Sequence, residues 1–257
     1  LNGAASLSSR FNGKVGCIQS WGRSNKWQFP VIIDNMMNLE FLMWAAKASG
    51  DNRFRDIAVT HANTTISNHF RPDYSSYHVV SYVPETGKVE VKCTHQGYSD
   101  ESAWARGQVW GLYGFGMMYR ETRDKRYLDQ AKHIAAFLMN HPNMPADKIP
   151  YWDFNAPDIP NALRDASAAA IMASSLIELS QFVDEPLKQN YLAFAESQLR
   201  TLASPQYLAE TGTNGCFILK HGVGHLPGNS EVDVPLTYGD YYFVEALLRY
   251  RKLVLHR

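Results

Sequence analysis

The sequence predicts an all-α fold built from paired helices, an α/α toroid, and three observations carry that prediction. Helical periodicity alternates between segments that are apolar on nearly every side and segments with a single apolar face. That alternation recurs along most of the chain. An aspartate stands near the start of each all-round apolar segment, at Asp34, Asp100, Asp165 and Asp240, spaced 66, 65 and 75 residues apart. Stacked helix pairs of this kind place every inner-helix N-terminus on one face, so the four carboxylates would ring one mouth.

The first inner helix is expected over Asn35–Ser49, where Met36, Met37, Leu39, Phe41, Leu42, Met43, Trp44, Ala45 and Ala46 are apolar on nearly every side, with Gly50 to close it. Its outer partner is expected over Asn52–His69, in which Phe54, Ile57, Ala58, His61, Ala62 and Thr65 form one stripe. The second pair is Glu101–Thr122 and Lys125–Asn140, and the third is Ala166–Phe182 and Glu185–Leu202. A last inner helix runs from about Tyr241 to Leu253. Between the first two pairs, Tyr77–Val83 and Lys88–Cys93 alternate apolar and polar residues around Pro84-Glu-Thr-Gly87, the pattern of a β-hairpin. No low-complexity linker divides the chain, so residues 1–257 are read as one domain.

Composition narrows the function. Twenty-five basic and 25 acidic residues balance, which leaves no cationic excess for a phosphate backbone and speaks against a nucleic-acid partner. The longest clean apolar runs, such as Phe41–Ala46, are far shorter than a membrane helix, so no membrane partner is expected. Cys17, Cys93 and Cys216 are too scattered for a disulfide framework or a zinc pair. The 6 Trp, 14 Tyr and 12 Phe would serve either a large core or a sugar-binding surface.

The densest polar and aromatic segment is His95–Gly111. There Asp100, Trp104, Gly107, Gln108 and Gly111 would share one helical face, a carboxylate beside an indole as in a sugar-stacking site. Equally, Ser99 could cap that helix with Asp100 merely decorating its first turn, and each of the four aspartates is also a good N-cap, so position alone does not select the catalytic ones. The loop Pro150-Tyr-Trp-Asp-Phe154 could line a sugar site through Trp152 while Arg164 meets an anion, or simply pack. His221 and His225 flank Gly-Val-Gly, which disfavours the helix a metal pair would need, so neither metal nor cofactor is expected.

Taken in order, Trp27-Gln-Phe-Pro-Val-Ile-Ile-Asp-Asn-Met-Met-Asn-Leu-Glu40, Gln96-Gly-Tyr-Ser-Asp100, Trp104-Ala-Arg-Gly-Gln-Val-Trp-Gly-Leu-Tyr-Gly114, Pro150–Phe154, Arg164-Asp-Ala-Ser-Ala168 and Gly239–Leu248 resemble the unsaturated glucuronyl hydrolases, glycoside hydrolase family 88. The resemblance extends from about Phe11 to the C-terminus and implies an (α/α)6 barrel. Seven helices do not close a toroid of twelve, so the expectation is that N-terminal helices of the barrel are missing from this chain. The apolar edge so exposed would invite a partner chain, including a second copy in a homo-oligomer.

The implied reaction releases a 4,5-unsaturated glucuronic acid from the non-reducing end of glycosaminoglycan oligosaccharides made by polysaccharide lyases, through hydration of the vinyl ether. The resemblance implies Asp100 as proton donor and Asp34 as second essential aspartate, with Arg164, Trp104, Gln108, Trp152 and His78 around the substrate. It also implies a bacterial polysaccharide-degrading setting, periplasmic or cytoplasmic. The segment Gly228-Asn-Ser-Glu-Val-Asp-Val234 departs from the Ser/Lys-rich loop of sulfate-accepting members, since it has Ser230 but no lysine. The nearest competing readings are an unsaturated rhamnogalacturonyl hydrolase on the same barrel and a non-catalytic glycan-binding remnant. An epimerase would need catalytic histidines on facing helices, and the sequence shows no convincing pair.

Overall fold

The computed structural model describes residues 1–255. Four helices form an inner layer, α2 (Asn35–Ser49), α4 (Ala105–Thr122), α6 (Ala166–Leu179) and α8 (Thr237–Arg249). Three form the outer layer, α3 (Asn52–Asn68), α5 (Lys125–Asn140) and α7 (Leu187–Leu202). Contacts run α2–α4–α6–α8 along the inner layer, and each outer helix packs on the inner helix that precedes it. A short helix α1 (Asn2–Ser8), which the sequence reading did not anticipate, lies against α2 and α3.

Burial follows the periodicity. Every residue of α6 is buried, whereas α3, α5 and α7 bury one stripe each. The run Ala168-Ala-Ala170 explains why α6 can be surrounded, because small side chains let α4, α7 and α8 approach on three sides. Gly114 plays the same part where α4 crosses α2: a Cβ there would lie 2.4 Å from that of Met36. Gly50 ends α2 in the left-handed conformation, φ 72°, which only glycine adopts at little cost.

The hairpin is present as β4 (Val79–Tyr82) and β5 (Val89–Cys93), and β3 (Pro30–Ile32) pairs with β4 to make a three-stranded antiparallel sheet. The register sets Pro30 opposite Ser81 and Ile32 opposite Val79. This sheet matters for the site, because β3 leads directly into α2 while β4 follows His78. A second small pair, β1 (Phe11–Asn12) with β2 (Cys17–Ile18), lies near the first helices.

The second inner helix begins at Ala105 rather than at Glu101. Residues 99–104 form turns instead, held by the buried carboxylate of Asp153, which accepts from Tyr98 N at 2.9 Å and Ser102 Oγ at 2.7 Å. Asp100 therefore does not start a helix, and the shared helical face from Asp100 to Gly111 does not exist. Asp240 lies inside the first turn of α8 and accepts from the backbone N–H groups of Ile218 and Leu219, both at 2.8 Å. Asp34 and Asp165 do stand at the N-cap positions of α2 and α6. On the open edge, Phe41 and Trp44 of α2 and Tyr241, Leu247 and Leu248 of α8 are exposed. No helix among the described residues is long and apolar enough to cross a membrane.

Candidate active site

A cavity of about 340 Å³ opens at the N-terminal ends of the inner helices. Asp34, Gln96, Arg106, Trp110, Glu231 and Tyr238 contribute its polar and aromatic wall. A larger hollow of about 810 Å³, with aromatic and charged side chains in its wall, adjoins it through Met37, Asn38 and Tyr238 and extends between α2, α4 and α8.

Asp34 occupies the cap position of α2, yet its side chain makes no capping hydrogen bond. Its side chain is only 20% exposed, and Oδ2 is buried without a hydrogen-bond partner. Burial raises its pKa to about 6, against the opposing pull of the Arg106 charge. A carboxyl group in that range can hold a proton and release it near neutral pH.

His78 faces it, with Nε2 3.8 Å from Asp34 Oδ2. The backbone N–H groups of His95 and Gln96 both donate to His78 Nδ1 at 3.1 Å, so Nδ1 is an acceptor and the ring proton resides on Nε2. Burial holds the His78 pKa well below its usual value, so the ring is neutral. Its Nε2, like Asp34 Oδ2, is buried and unpartnered. Two complementary orphans thus face one another at a separation too long for a hydrogen bond, in position to engage a third group.

Arg106 supplies the positive charge. It is 2% exposed and is paired with the fully buried Asp165 at 2.9 Å. Its guanidinium also donates to the carbonyls of Val223 and Gly224. Gln96 Nε2 donates to the same Gly224 carbonyl at 2.9 Å. Asp165 in turn accepts from Ser167 N and Oγ, which fixes the carboxylate that Arg106 meets. The guanidinium lies 4.5 Å from the Trp104 ring centroid and 5.2 Å from that of Tyr238. Among the described residues no group of three or more His, Cys, Asp or Glu side chains is arranged to hold a metal ion.

Of the residues singled out from sequence, the structure brings Asp34 and His78 together and sets Trp104 behind His78, ring centroids 4.4 Å apart. It takes the others away from the cavity. Asp100 is exposed, and its Oδ1 is occupied by the backbone N–H of Thr94 at 2.8 Å. Gln108 is 1% exposed and clamps Ser76, accepting from its N–H at 2.7 Å and donating to its carbonyl at 3.2 Å. Trp152 is 3% exposed beneath Trp104, held by backbone bonds to Ala105 and Leu163. Arg164 pairs with Asp147 at 2.9 Å and stacks on Tyr151. None of Asp100, Gln108, Trp152 and Arg164 lines the cavity around Asp34, where the expectation had a donor at the first and substrate walls at the others.

Sequence reasoning quoted Gln96 and Arg106 within motifs without selecting them. A signal was available, since Arg106 is the single cation in an otherwise uncharged stretch from Trp104 to Tyr119. A cation on a helix buried all round needs a buried anion.

Comparison with known proteins bears on what the cavity is for. The crystal structure of an unsaturated glucuronyl hydrolase specific for heparin superimposes with a TM-score of 0.95 and 58% identity, covering 98% of this chain and 67% of that one. The chain belongs to the unsaturated glucuronyl hydrolase family. Unsaturated glucuronyl hydrolase from Formosa agariphila is 51% identical over 256 residues, 99% of this chain and 63% of the relative. The unsaturated chondroitin disaccharide hydrolase of Streptococcus pyogenes serotype M1 is 37% identical over 98% of this chain and 63% of its own length. The chain thus spans somewhat under two thirds of these curated relatives. No family profile matches it. Membership of the unsaturated glucuronyl hydrolase family fixes the architecture as part of an α/α toroid with small antiparallel strand insertions.

Proposed function

We propose that the cavity hydrates the vinyl ether of a 4,5-unsaturated glucuronic acid at the non-reducing end of a glycosaminoglycan oligosaccharide, with Asp34 as the proton donor. The observation that carries this reading is the buried, unpartnered Asp34 Oδ2 facing the unpartnered Nε2–H of a neutral His78, beside the charge of Arg106. An enol ether is protonated at carbon. Proton transfer from Asp34 to C4 leaves positive charge shared by C5 and the ring oxygen. The resulting Asp34 carboxylate then accepts a proton from the water that adds to C5. The hemiketal so formed opens by cleavage of its C5–O5 bond, giving a ketone at C5 and a hemiacetal at C1 that expels the neighbouring sugar as its alcohol. No nucleophile attacks C1, so the carboxylate spacing that separates retaining from inverting glycosidases does not apply.

His78 donates from Nε2 to Asp34 or to a substrate oxygen and, being neutral, does not stabilise the carboxylate so strongly that the proton is lost. Arg106 is the cation that lines the cavity and so the side chain there that a uronate carboxylate can approach, and the faces of Trp110 and Tyr238 suit the sugar ring. Names of relatives point to heparin and chondroitin fragments as the compounds to test. The test follows loss of ultraviolet absorbance of the conjugated enol ether with unsaturated heparin and chondroitin disaccharides. Decay with this chain that Asp34→Asn abolishes and Asp100→Asn retains supports the assignment. Binding of the disaccharide without decay would instead make the chain a glycan-binding part of its family.

A further inference from the structure

A third cavity, of about 190 Å³, is lined by Ala162, Leu163, Arg164, Gln206, Tyr207, His221 and Asp233 and shares none of these residues with the cavity around Asp34. At ~30 Å³ per water molecule it has room for about six waters, the scale of one sugar ring. We propose that it is a second saccharide site, which takes one uncharged, hydroxyl-rich sugar ring.

The site is built rather than merely concave. Tyr207 is 1% exposed and lines the cavity, and its hydroxyl is buried without a hydrogen-bond partner. An orphaned phenol of this kind costs stability unless something meets it. His221 Nδ1 lies 2.7 Å from Asp233 Oδ1, which directs the other ring nitrogen elsewhere. Both residues adopt the left-handed conformation, φ 64° and 53°, a region that histidine and aspartate enter more readily than most side chains. Arg164 commits Nη1 to Asp147 and to the Ile149 carbonyl, leaving Nε and Nη2 to a ligand.

The chemistry selects the ligand class. Arg164 is matched by Asp147 and Asp233 is met by His221 Nδ1, so the pocket presents no unpaired cation. Two carboxylates oppose an anion, and the guanidinium opposes a metal ion. What remains is a mixture of donors, from Arg164, Tyr207 and the Gln206 amide, and acceptors, from Asp233 and Gln206. Sugar hydroxyls require both.

The position links this site to the first. Leu163–Asp165 and His221–Gly224 run from this cavity to the Asp165 carboxylate and to the Val223 and Gly224 carbonyls that hold Arg106. The two cavities therefore share a wall. The inference rests on the proposed function only in naming saccharide as the class this protein handles.

The probe is N-acetylglucosamine, followed by saturation-transfer NMR on the whole chain. Wild type and Asp34→Asn should give the same signal, while Tyr207→Phe and Gln206→Ala should each weaken it at least threefold, with melting temperatures unchanged for the exposed Gln206 position. An absent wild-type signal, or one that both variants leave intact, overturns the proposal. Turnover separates the two sources of such a ring. A KM for an unsaturated tetrasaccharide raised by Tyr207→Phe, with that for the disaccharide unmoved, makes the occupant a distal ring of the substrate. Unmoved KM values with lost N-acetylglucosamine binding make it a separate saccharide. If no unsaturated substrate is turned over while the variants still abolish N-acetylglucosamine binding, the proposed function falls and this site stands.

Discussion

Replacing Asp34 by asparagine should stabilise the protein above neutral pH while abolishing the proposed hydration reaction. The carboxyl pKa rises from its ordinary 3.8 to about 6 in the folded chain, so the native state binds the proton more tightly than the unfolded state does. Stability from this group is therefore fully present below about pH 4 and is lost as pH rises through about 6. At ~1.4 kcal/mol per pKa unit the loss approaches about 3 kcal/mol by pH 8. This is an upper value, because part of the side chain faces the cavity. Asparagine cannot ionise and forfeits no cap, since Asp34 makes no capping hydrogen bond. With roughly 2–4 °C per kcal/mol for a chain of this size, the variant's melting advantage should grow by about 6–12 °C between pH 4 and pH 8. Calorimetric or circular-dichroism melts at the two pH values decide it. An advantage that stays flat with pH would show that Asp34 is not held protonated by burial, and the argument for it as donor would fail with it.

The same ionisation should govern catalysis: with unsaturated disaccharide, kcat/KM should be level below about pH 6 and fall about tenfold per pH unit above it, measured by the absorbance assay. Asp34→Asn should lower kcat by about 10²–10⁴-fold, whereas Asp100→Asn should change it by less than about threefold. Arg106→Met should destabilise the chain by about 3–5 kcal/mol in denaturant titrations, because it leaves the fully buried Asp165 charged and unpaired. Gly114→Ala should cost about 1–3 kcal/mol by the same measurement, since the added methyl meets the Met36 backbone at 2.9 Å as well as its Cβ.

The helical layers were legible because burial on one side or on all sides writes its period directly into the chain. Residues 125–140 matched the expected outer helix to the residue, for every third or fourth side chain must be apolar there. The start of α4 was illegible for a different reason. Residues 101–104 have helix-compatible side chains, but the carboxylate of Asp153, some fifty positions away, takes the Tyr98 N–H and the Ser102 hydroxyl and holds this stretch in turns. Local propensity yields to such a tertiary bond. That displacement moved Asp100 off the mouth. The site was half legible: Asp34 stood in a motif and His78 came with the family resemblance, but their pairing depends on β3 and β4 lying side by side, which no local pattern encodes. Arg106 was visible as an isolated cation, but its partners Asp165, Val223 and Gly224 come from two distant segments.

The wholly enclosed α6 also sets the protein's motional hierarchy. Its amides are shielded by neighbours on three sides, so no local fluctuation of a single helix can admit solvent to them. They should exchange their hydrogens only when the whole chain opens, while α3, α5 and α7 exchange through smaller excursions of one exposed face. A ligand that bridges the loops at the mouth would then slow exchange at the helix ends first, and at α6 only to the degree that it raises global stability. The Ala-rich post thus separates tightening of the site from strengthening of the fold, two effects that a melting curve alone would merge.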